Sequence, residues 1–299
     1  MISLIILGNN SALPAHGRHP SAQILQTDKG NILIDCGEGT QTQLVRYKIK
    51  PSKINTVIIS HMHGDHYFGL IGMLTSMGLM GRSEPLHIYG PASLELIIEA
   101  QLNAATAVLP FPVYFVGLED LGAAFTASGL RIQAFATDHR IPCWGFSFET
   151  QGKPRSIIKE RVDEYDIPVS FYDALQNGFN YENQNREIIS NDLLTTPVKK
   201  KKYAYCADTR YSESFLSHIN GADLMYHEST YLKEDTQKAY ERFHSTSEQA
   251  ATLAKKAGVK KLLLGHFSSK YIDLEPFKEE AIPIFENTEI ATEGCCFIL

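Results

Sequence analysis

Three histidines and one aspartate lie within six consecutive positions, His61-Met62-His63-Gly64-Asp65-His66. Imidazole nitrogen and carboxylate oxygen are donors that suit zinc and its first-row neighbours. Four such side chains so close in sequence do not easily reach one ion, but they can serve two ions about 3.5–4 Å apart, as in two-metal hydrolytic sites. The alternative is a polar loop whose histidines are merely solvated, and the density of the cluster favours the metal site.

The sequence on either side predicts how this cluster is held. The preceding run, Val57-Ile58-Ile59, is typical of a buried strand because it is β-branched and has no helical period. The following segment, 67–80, is apolar and compatible with a helix. The cluster is therefore predicted to lie on a short loop between a strand and a helix, where a rigid scaffold presents functional side chains.

Other residues of the same chemical types also follow the ends of strand-like runs. They are Asp35, His139, Asp208, His227 and His266. In a layered α/β protein such strand ends collect at one edge of the sheets, where ligands bind, so we expect these side chains near the 61–66 cluster. Asp35 could support a metal ligand without binding the ion or could be a turn residue or helix N-cap. The sequence leaves both interpretations open.

The remaining pattern alternates strands and helices around one unusual segment. Strand-like runs occupy 2–7, 22–26, 32–34, 86–89, 112–116, 125–127, 130–137, 141–149, 203–207, 223–226 and 261–264, with helices predicted at 41–47, 93–103, 214–219, 234–242 and 275–285 and two strand candidates at the end. Another helix is predicted to open after His244, with Ser245 and Glu248 spaced as a capping box. The segment 153–202 is polar and weakly patterned, which indicates a projecting insertion.

Bulk properties exclude several classes of protein. At 299 residues, 43% hydrophobic and 21% charged, the chain can bury a full core and is not disordered. The net charge of −6 argues against broad nonspecific binding to nucleic acid or anionic membranes. No apolar run reaches the roughly 18 residues of a membrane span, and the N-terminus lacks the features of a signal peptide. The five cysteines form no CxxC pair, so reduced thiols and a cytoplasmic location are expected.

Positive charge is concentrated at one place, Lys199-Lys200-Lys201-Lys202, at the end of the insertion. Consecutive lysines commonly protect a solvated strand edge. They could also contact a phosphate backbone. Both interpretations stay open from the sequence.

Taken together, these motifs resemble the metallo-β-lactamase-fold hydrolases and, within them, the tRNase Z family, which removes 3′ trailers from precursor tRNA. The 61–66 cluster alone marks the superfamily. The elements His227-Glu228-Ser229-Thr230 and His244-Ser245-Thr246, in this order, are more specific to tRNase Z. The resemblance covers nearly the whole chain and includes Leu7-Gly8 with Ser11 to Pro14, Asp35-Cys36-Gly37-Glu38, Tyr89-Gly90-Pro91, His139, Asp208-Thr209-Arg210 and Gly265-His266.

This resemblance implies an α/β fold, an αββα four-layer sandwich in which residues 1–299 form one hydrolase domain with an inserted arm at about 153–202. It implies two zinc ions, with Asp208 bridging both and Asp35 supporting the ligands. The first ion would be held by His61, His63 and His139, and the second by Asp65, His66 and His266. The ions would lower the pKa of an attacking water and stabilise the charge of the transition state.

The same resemblance implies roles for three further groups and for partners. Asp65 would orient or deprotonate the water, His244 would be the general acid, and Glu228 would orient His244 and keep it protonated. The expected partners are precursor tRNA and a second copy of the chain in a homodimer, with no membrane. Two departures affect the expected RNA contacts. The arm near 167–171 lacks the family's Gly-Pro pair, and Lys270 replaces a frequent arginine.

Two competing functions follow from the same residues. A phosphodiesterase or other hydrolase acting on small esters would need the same centre, because one fold hosts many substrates. A non-catalytic metal- or RNA-binding protein belongs to another class. The proposed ligand set argues against it, since it leaves room for water, whereas a purely structural zinc site is closed.

Overall fold

The structure, a computed structural model, describes residues 2–119, 124–151 and 154–299. By their contacts the chain divides into two units, one formed by Met1–Glu149 with Lys201–Leu299 and the other by Thr150–Lys200. Among the described residues, no helix is both long and apolar enough to cross a membrane.

The strands are named in chain order. They are β1 (Ser3–Gly8), β2 (Ala22–Thr27), β3 (Gly30–Cys36), β4 (Ile54–Ile58), β5 (Leu86–Gly90), β6 (Val113–Gly117), β7 (Phe125–Ala127), β8 (Leu130–Ala136), β9 (Trp144–Thr150), β10 (Ser156–Ile157), β11 (Tyr181–Glu182), β12 (Ile188–Ile189), β13 (Thr195–Thr196), β14 (Lys202–Cys206), β15 (Leu224–Glu228), β16 (Leu262–Gly265), β17 (Thr288–Ile290) and β18 (Cys296–Ile298).

The helices are named in the same way. They are α1 (Thr40–Arg46), α2 (Gly64–Tyr67), α3 (Leu70–Leu79), α4 (Ser93–Ala104), α5 (Lys159–Glu164), α6 (Tyr172–Gln176), α7 (Asn191–Leu194), α8 (Leu216–Ile219), α9 (Thr236–Glu241), α10 (Ser247–Ala257) and α11 (Glu275–Ala281), with short 3₁₀ turns at Pro51–Lys53, Val169–Phe171 and Lys233–Asp235.

Two seven-stranded sheets form the larger unit. Their spatial orders are β18-β1-β2-β3-β4-β5-β6 and β17-β16-β15-β14-β9-β8-β7. Strands β3 to β6 run parallel in the first sheet, and β14 to β17 run parallel in the second. The carboxyl ends of parallel strands lie along the same edge of a sheet, so the loops that follow them can build one site.

Side chains that alternate between the two faces of a strand explain how the sheets and helices form layers. In β3, Ile32 and Ile34 join the apolar cluster between the sheets, whereas Leu33 joins the cluster beneath α1, α3 and α4. A third cluster packs the second sheet against α8 to α11. Each sheet is thus covered by helices on its outer face and by the other sheet on its inner face. This arrangement is the αββα four-layer sandwich that the resemblance predicted.

The smaller unit has an apolar core of its own. Helices α5 to α7 accompany two separate two-stranded pairs, β10 with β13 and β11 with β12. The buried core contains Val162, Ile167, Leu175, Ile189 and Leu194. The Asn191 side chain donates hydrogen bonds to two backbone carbonyls, of Leu175 at 2.8 Å and of Phe179 at 2.9 Å. Short elements and a small core account for the weak sequence pattern of this segment.

The predicted helix 67–80 begins earlier and is interrupted. Helix α2 starts at Gly64, so Asp65 and His66 lie in its first turns and not on a loop. The break before α3 falls at Gly69, whose N–H donates to the carbonyl of Cys36 at 2.9 Å. A Cβ added at Gly69 would lie 2.2 Å from the carbonyl oxygen of Gly37. A glycine is therefore required where the segment between α2 and α3 packs against the turn after β3.

The predicted capping box is displaced by one residue. Helix α10 is capped by Thr246, whose hydroxyl accepts from the N–H of Gln249 while the Gln249 side chain accepts from the N–H of Thr246. The prediction that Ser245 and Glu248 form the capping box was wrong. The Ser245 hydroxyl donates instead to the carbonyl of Thr209 at 2.7 Å. The shift places Ser245 beside the candidate site.

Two of the four consecutive lysines contact the larger unit itself. Lys202 begins β14, and its ammonium donates to the carbonyl of Asn220 at 3.1 Å. Lys201 lies 3.6 Å from a carboxylate oxygen of Asp223. These contacts favour a structural role for these two lysines over an RNA contact.

Candidate metal centre

The structure brings all seven predicted ligand residues together at one edge of the two sheets. One group contains His61, His63, His139 and Asp208, the other contains Asp65, His66 and His266, and within each group the candidate ligand atoms lie within 4.8 Å of one another. The 61–66 cluster follows β4 of the first sheet. Its partners follow β8, β14 and β16 of the second sheet. Their role as ligands stays a prediction.

Asp208 faces both groups. Its Oδ1 lies 3.2 Å from Nε2 of His266 and 3.5 Å from Nε2 of His66. Its Oδ2 lies 3.6 Å from Nε2 of His61 and 3.9 Å from Nε2 of His139. Oδ1 is buried and has no hydrogen-bond partner among the residues that the structure describes. A carboxylate with one oxygen toward each group is the arrangement that a bridging ligand needs.

The histidine tautomers follow from the partners of Nδ1. His66 Nδ1 lies 2.8 Å from a carboxylate oxygen of Asp35, and His139 Nδ1 lies 3.0 Å from the carbonyl of Phe243. Both partners only accept hydrogen bonds, so in each ring Nδ1 carries the proton. In the neutral ring, the lone pair on Nε2 then points toward the neighbouring group.

Two hydroxyl groups fix the other rings in the same way. The Ser60 hydroxyl donates to Asp35 at 3.0 Å and therefore accepts from His61 Nδ1, also at 3.0 Å. The Thr230 hydroxyl donates to Glu228 at 2.8 Å and accepts from His266 Nδ1 at 2.9 Å. Nε2 of His61 and of His266 is thereby oriented as an acceptor for a cation.

The crowding of ring nitrogens fits a metal site. His63 Nδ1 lies 3.0 Å from Nε2 of His61 and 3.1 Å from Nε2 of His139. Nε2 of His66 and Nε2 of His266 are 3.3 Å apart. Lone pairs that converge at these distances need a proton or a cation between them. Nitrogen and carboxylate donors in this number suit zinc and neighbouring metals.

The pKa shifts indicate that the site requires positive charge. Burial opposes protonation of His66, but the carboxylates of Asp208, Asp65 and Asp35 raise its pKa to about 10. Burial and the neighbouring His66 lower the pKa of His61 well below its ordinary value, so His61 is neutral, as a ligand must be. A metal ion would supply the positive charge that a proton on His66 otherwise provides.

Asp35 supports the centre from behind and does not line it. Its oxygens accept from the Ser60 N–H at 2.7 Å, from the Ser60 hydroxyl, from His66, and from the Tyr205 hydroxyl at 2.5 Å. Of the two interpretations that the sequence left open, these contacts favour the supporting role. Sequence analysis missed Ser60, Tyr205 and Thr230 as supporting residues. The one available signal was a tyrosine in a buried strand, because a buried hydroxyl needs a partner.

We expect Asp35→Asn to weaken metal binding about 10- to 100-fold, the usual cost of losing an outer partner of a ligand. Asparagine tolerates the left-handed backbone that Asp35 adopts (φ 55°), so the change tests the carboxylate and not the backbone. Competition with a chromogenic chelator measures the affinity. Tyr205→Phe, which removes only one donor to Asp35, is the matched control with a smaller expected loss. Equal affinity in Asp35→Asn and the unsubstituted protein would contradict the supporting role.

Glu228 holds His244 at the side of the centre. Nδ1 of His244 lies 3.0 Å from Oε1 of Glu228 and 4.0 Å from Oδ2 of Asp208. Backbone N–H groups of Thr209, Ser245 and Thr230 also donate to the buried Glu228 carboxylate. Burial opposes protonation of His244, yet the charge of Glu228 raises its pKa above the ordinary value. His244 therefore holds a proton more readily than an ordinary histidine.

His227 was expected at the centre and does not reach it. Its ring is buried, and its Nδ1 donates to the carbonyl of Glu228 at 2.5 Å. Successive side chains of a strand point to opposite faces, so the orientation of Glu228 toward the centre turns its neighbour His227 away.

A cavity of about 480 Å³ adjoins the centre. His244 lines it together with two arginines, Arg140 and Arg242, and with the hydroxyl-bearing residues Ser11, Ser268 and Ser269. Guanidinium and hydroxyl groups suit an anionic ligand such as a phosphate.

The chain is similar to several known proteins. A family model described as "Anti-Pycsar protein Apyc1" matches residues 2–151. The chain is 38% identical over 299 residues to the ribonuclease Z of Bacteroides fragilis, covering 99% of this chain and 98% of that protein. Among solved structures it is similar to the short form of human tRNase Z, with 25% identity, a TM-score of 0.69, and 99% and 98% of the two chains covered.

A further structural match concerns the fold alone. The metallo-beta-lactamase fold protein YhfI of Bacillus subtilis superposes with a TM-score of 0.70 at 21% identity, over 100% of both chains. The four-layer sandwich of this protein is therefore the metallo-β-lactamase fold.

Proposed function

The chain belongs to the ribonuclease Z family, and we propose that it is a metal-dependent endoribonuclease acting on the 3′ end of precursor tRNA. Its residues 2–151 also match the Apyc1 family. It would hydrolyse the phosphodiester that joins the trailer to the tRNA and leave a 3′-hydroxyl on the tRNA. The observation that carries the proposal is Asp208, whose two oxygens face two groups of candidate ligands beside the Glu228–His244 pair.

The proposed metal content is two zinc ions. One ion would be held by His61, His63 and His139, and the other by Asp65, His66 and His266. Asp208 would bind both ions. When bound, two such ions lower the pKa of the attacking water and neutralise the charge that develops on the phosphate.

Asp65 would act on the attacking water, and His244 would act on the departing oxygen. Asp65 Oδ2 accepts from the N–H of Ala12 at 2.7 Å, which fixes the carboxylate, and it lies 3.4 Å from Nε2 of His266. Burial raises the pKa of Asp65, but His66 and His266 hold it below its usual range, so the carboxylate is ionised and can orient the attacking water by accepting a hydrogen bond from it. His244 would donate a proton to the departing 3′ oxygen of the tRNA.

Further parts of the proposal concern partners and location. We expect a homodimer in the cytoplasm and precursor tRNA as the bound RNA.

Residues 150–200 contain seven lysines and arginines against eight acidic residues, so this segment offers no general electrostatic attraction to RNA. Recognition through it would rest on particular side chains. The alternative function is a phosphodiesterase or hydrolase that acts on small esters with the same centre.

The test is cleavage of a precursor tRNA with a 3′ trailer, run beside bis(p-nitrophenyl) phosphate. We expect a single cut at the trailer boundary, loss of the cut after removal of metal by a chelator, and recovery when zinc is restored. Mature tRNA without a trailer is the control substrate. Turnover of the small diester with the precursor left intact would contradict the tRNA assignment and leave the alternative function.

A further inference from the structure

The guanidinium of Arg210 stacks over two aromatic rings. Its Cζ lies 3.5 Å from the ring centre of Phe243 and 4.0 Å from that of Tyr240. Its Nε donates to the carbonyl of Tyr240 at 2.6 Å. A cation that lies over two rings and is hydrogen-bonded through Nε is fixed in position.

The backbone of Arg210 is tied to the segments that carry two candidate ligands. Arg210 follows Asp208 by two residues, and its N–H donates to the carbonyl of Asp138 at 2.9 Å. The Thr137 hydroxyl donates to the carbonyl of Asp208, also at 2.9 Å. One side of the stack is therefore anchored to the loops that present Asp208 and His139.

The other side of the stack is the turn after α9, which leads into His244. Phe243 adopts a left-handed backbone conformation (φ 62°), which a bulky residue adopts only when its surroundings hold it there. In this conformation its carbonyl accepts from Nδ1 of His139 at 3.0 Å. The next residue, His244, lies 3.0 Å from Glu228. The position of Phe243 thus fixes a candidate metal ligand and the candidate acid together.

We infer that Arg210 is a positioning residue for the reaction. Its contacts with Tyr240 and Phe243 hold residues 240–243 in place. The Phe243 carbonyl then orients His139, and His244 is held beside Glu228. The inference rests on the proposed function, and it deepens that function by adding a residue that acts through His139 and His244. The Asp-Thr-Arg motif thus links a bridging ligand, Asp208, to a structural support two residues later.

The test is Arg210→Lys, which keeps the charge but removes the plane and the Nε donor. We expect kcat to fall about 10- to 100-fold on both precursor tRNA and bis(p-nitrophenyl) phosphate, with KM unchanged. Zinc affinity, measured by chelator competition without substrate, should fall in parallel. Arg46→Lys is the matched control, because Arg46 is exposed at the end of α1 with its Cζ 5.8 Å from the Tyr47 ring, and we expect it to change none of these values.

A second variant keeps the inference testable if Arg210→Lys folds poorly. Tyr240 is 59% exposed, so Tyr240→Leu removes one ring of the stack with little risk to folding, and an intermediate fall in kcat is expected. Unchanged kcat and zinc affinity in both variants would overturn the inference. A raised KM on precursor tRNA alone, with kcat and zinc affinity intact, would also overturn it and make Arg210 an RNA contact. The diester and zinc assays do not use tRNA, so they stay readable if trailer removal itself is not observed.

Discussion

Asp208→Ala is expected to remove metal from both groups and to abolish hydrolysis of every phosphodiester. The two Asp208 oxygens face different groups, so one substitution removes one donor from each group. Losing an outer partner of a ligand already costs about 10- to 100-fold in metal affinity, so losing a shared ligand should exceed the upper value. Metal content after dialysis, measured by mass spectrometry, and turnover of the small diester give the two readouts.

The fold should survive this substitution. Its three main apolar clusters lie between and outside the sheets, and Asp208 belongs to none of them. Zinc stabilises a folded protein that binds it, by about 2.7 kcal/mol at a hundredfold excess over Kd. We expect this zinc-dependent rise in melting temperature to disappear in Asp208→Ala while the cooperative transition remains.

Asp223→Ala is the matched control for Asp208→Ala. Asp223 lies directly before β15, at the end of that strand opposite Glu228, and pairs with Lys260 at 2.6 Å. This control should lower stability modestly and leave zinc binding and turnover intact. Retained zinc at both groups in Asp208→Ala would contradict the bridging role.

The sequence predicted the donors of this centre better than their support. A ligand must have a particular chemistry and must follow a strand end, so His61, His139 and His266 carried a signal that could be read locally. Support is different, because any hydroxyl or carbonyl can provide it. The carbonyl of Phe243 became visible as a support only when the fold brought a segment distant in sequence within 3.0 Å of the His139 ring. Ser60 is the neighbour of His61, but its role depends on Asp35, which is remote in sequence and accepts the Ser60 hydroxyl proton.

The errors in element boundaries had two different physical causes. The α2–α3 break at Gly69 depends on contact with the turn after β3, which is remote in sequence. The cap at Thr246 is one local pair of hydrogen bonds among several that the spacing permits. His227 and Glu228 show the limit most clearly. Both end the same strand-like run, and only the register of β15 decides which side chain faces the centre.

His244→Ala should separate the general acid from the metal centre, because its effect depends on the leaving group. An alkoxide such as the tRNA 3′ oxygen needs a proton to depart, whereas p-nitrophenolate leaves without one. General-acid catalysis contributes about 10²- to 10⁴-fold, so kcat on precursor tRNA should fall by that factor while bis(p-nitrophenyl) phosphate loses far less. The Glu228–His244 contact of 3.0 Å predicts that Glu228→Gln reproduces the same selectivity more weakly.

The comparison between the two substrates decides the role of His244. Equal losses on both would mean that His244 supports the metal centre, to which it lies close, with Nδ1 4.0 Å from Asp208. His87→Ala, at an exposed position on β5, is the control that should leave both rates unchanged. A selective loss on the RNA would assign the proton to His244. Bond breaking at the tRNA 3′ oxygen would then depend on the charge of Glu228, the only carboxylate within hydrogen-bond distance of the His244 ring among the described residues.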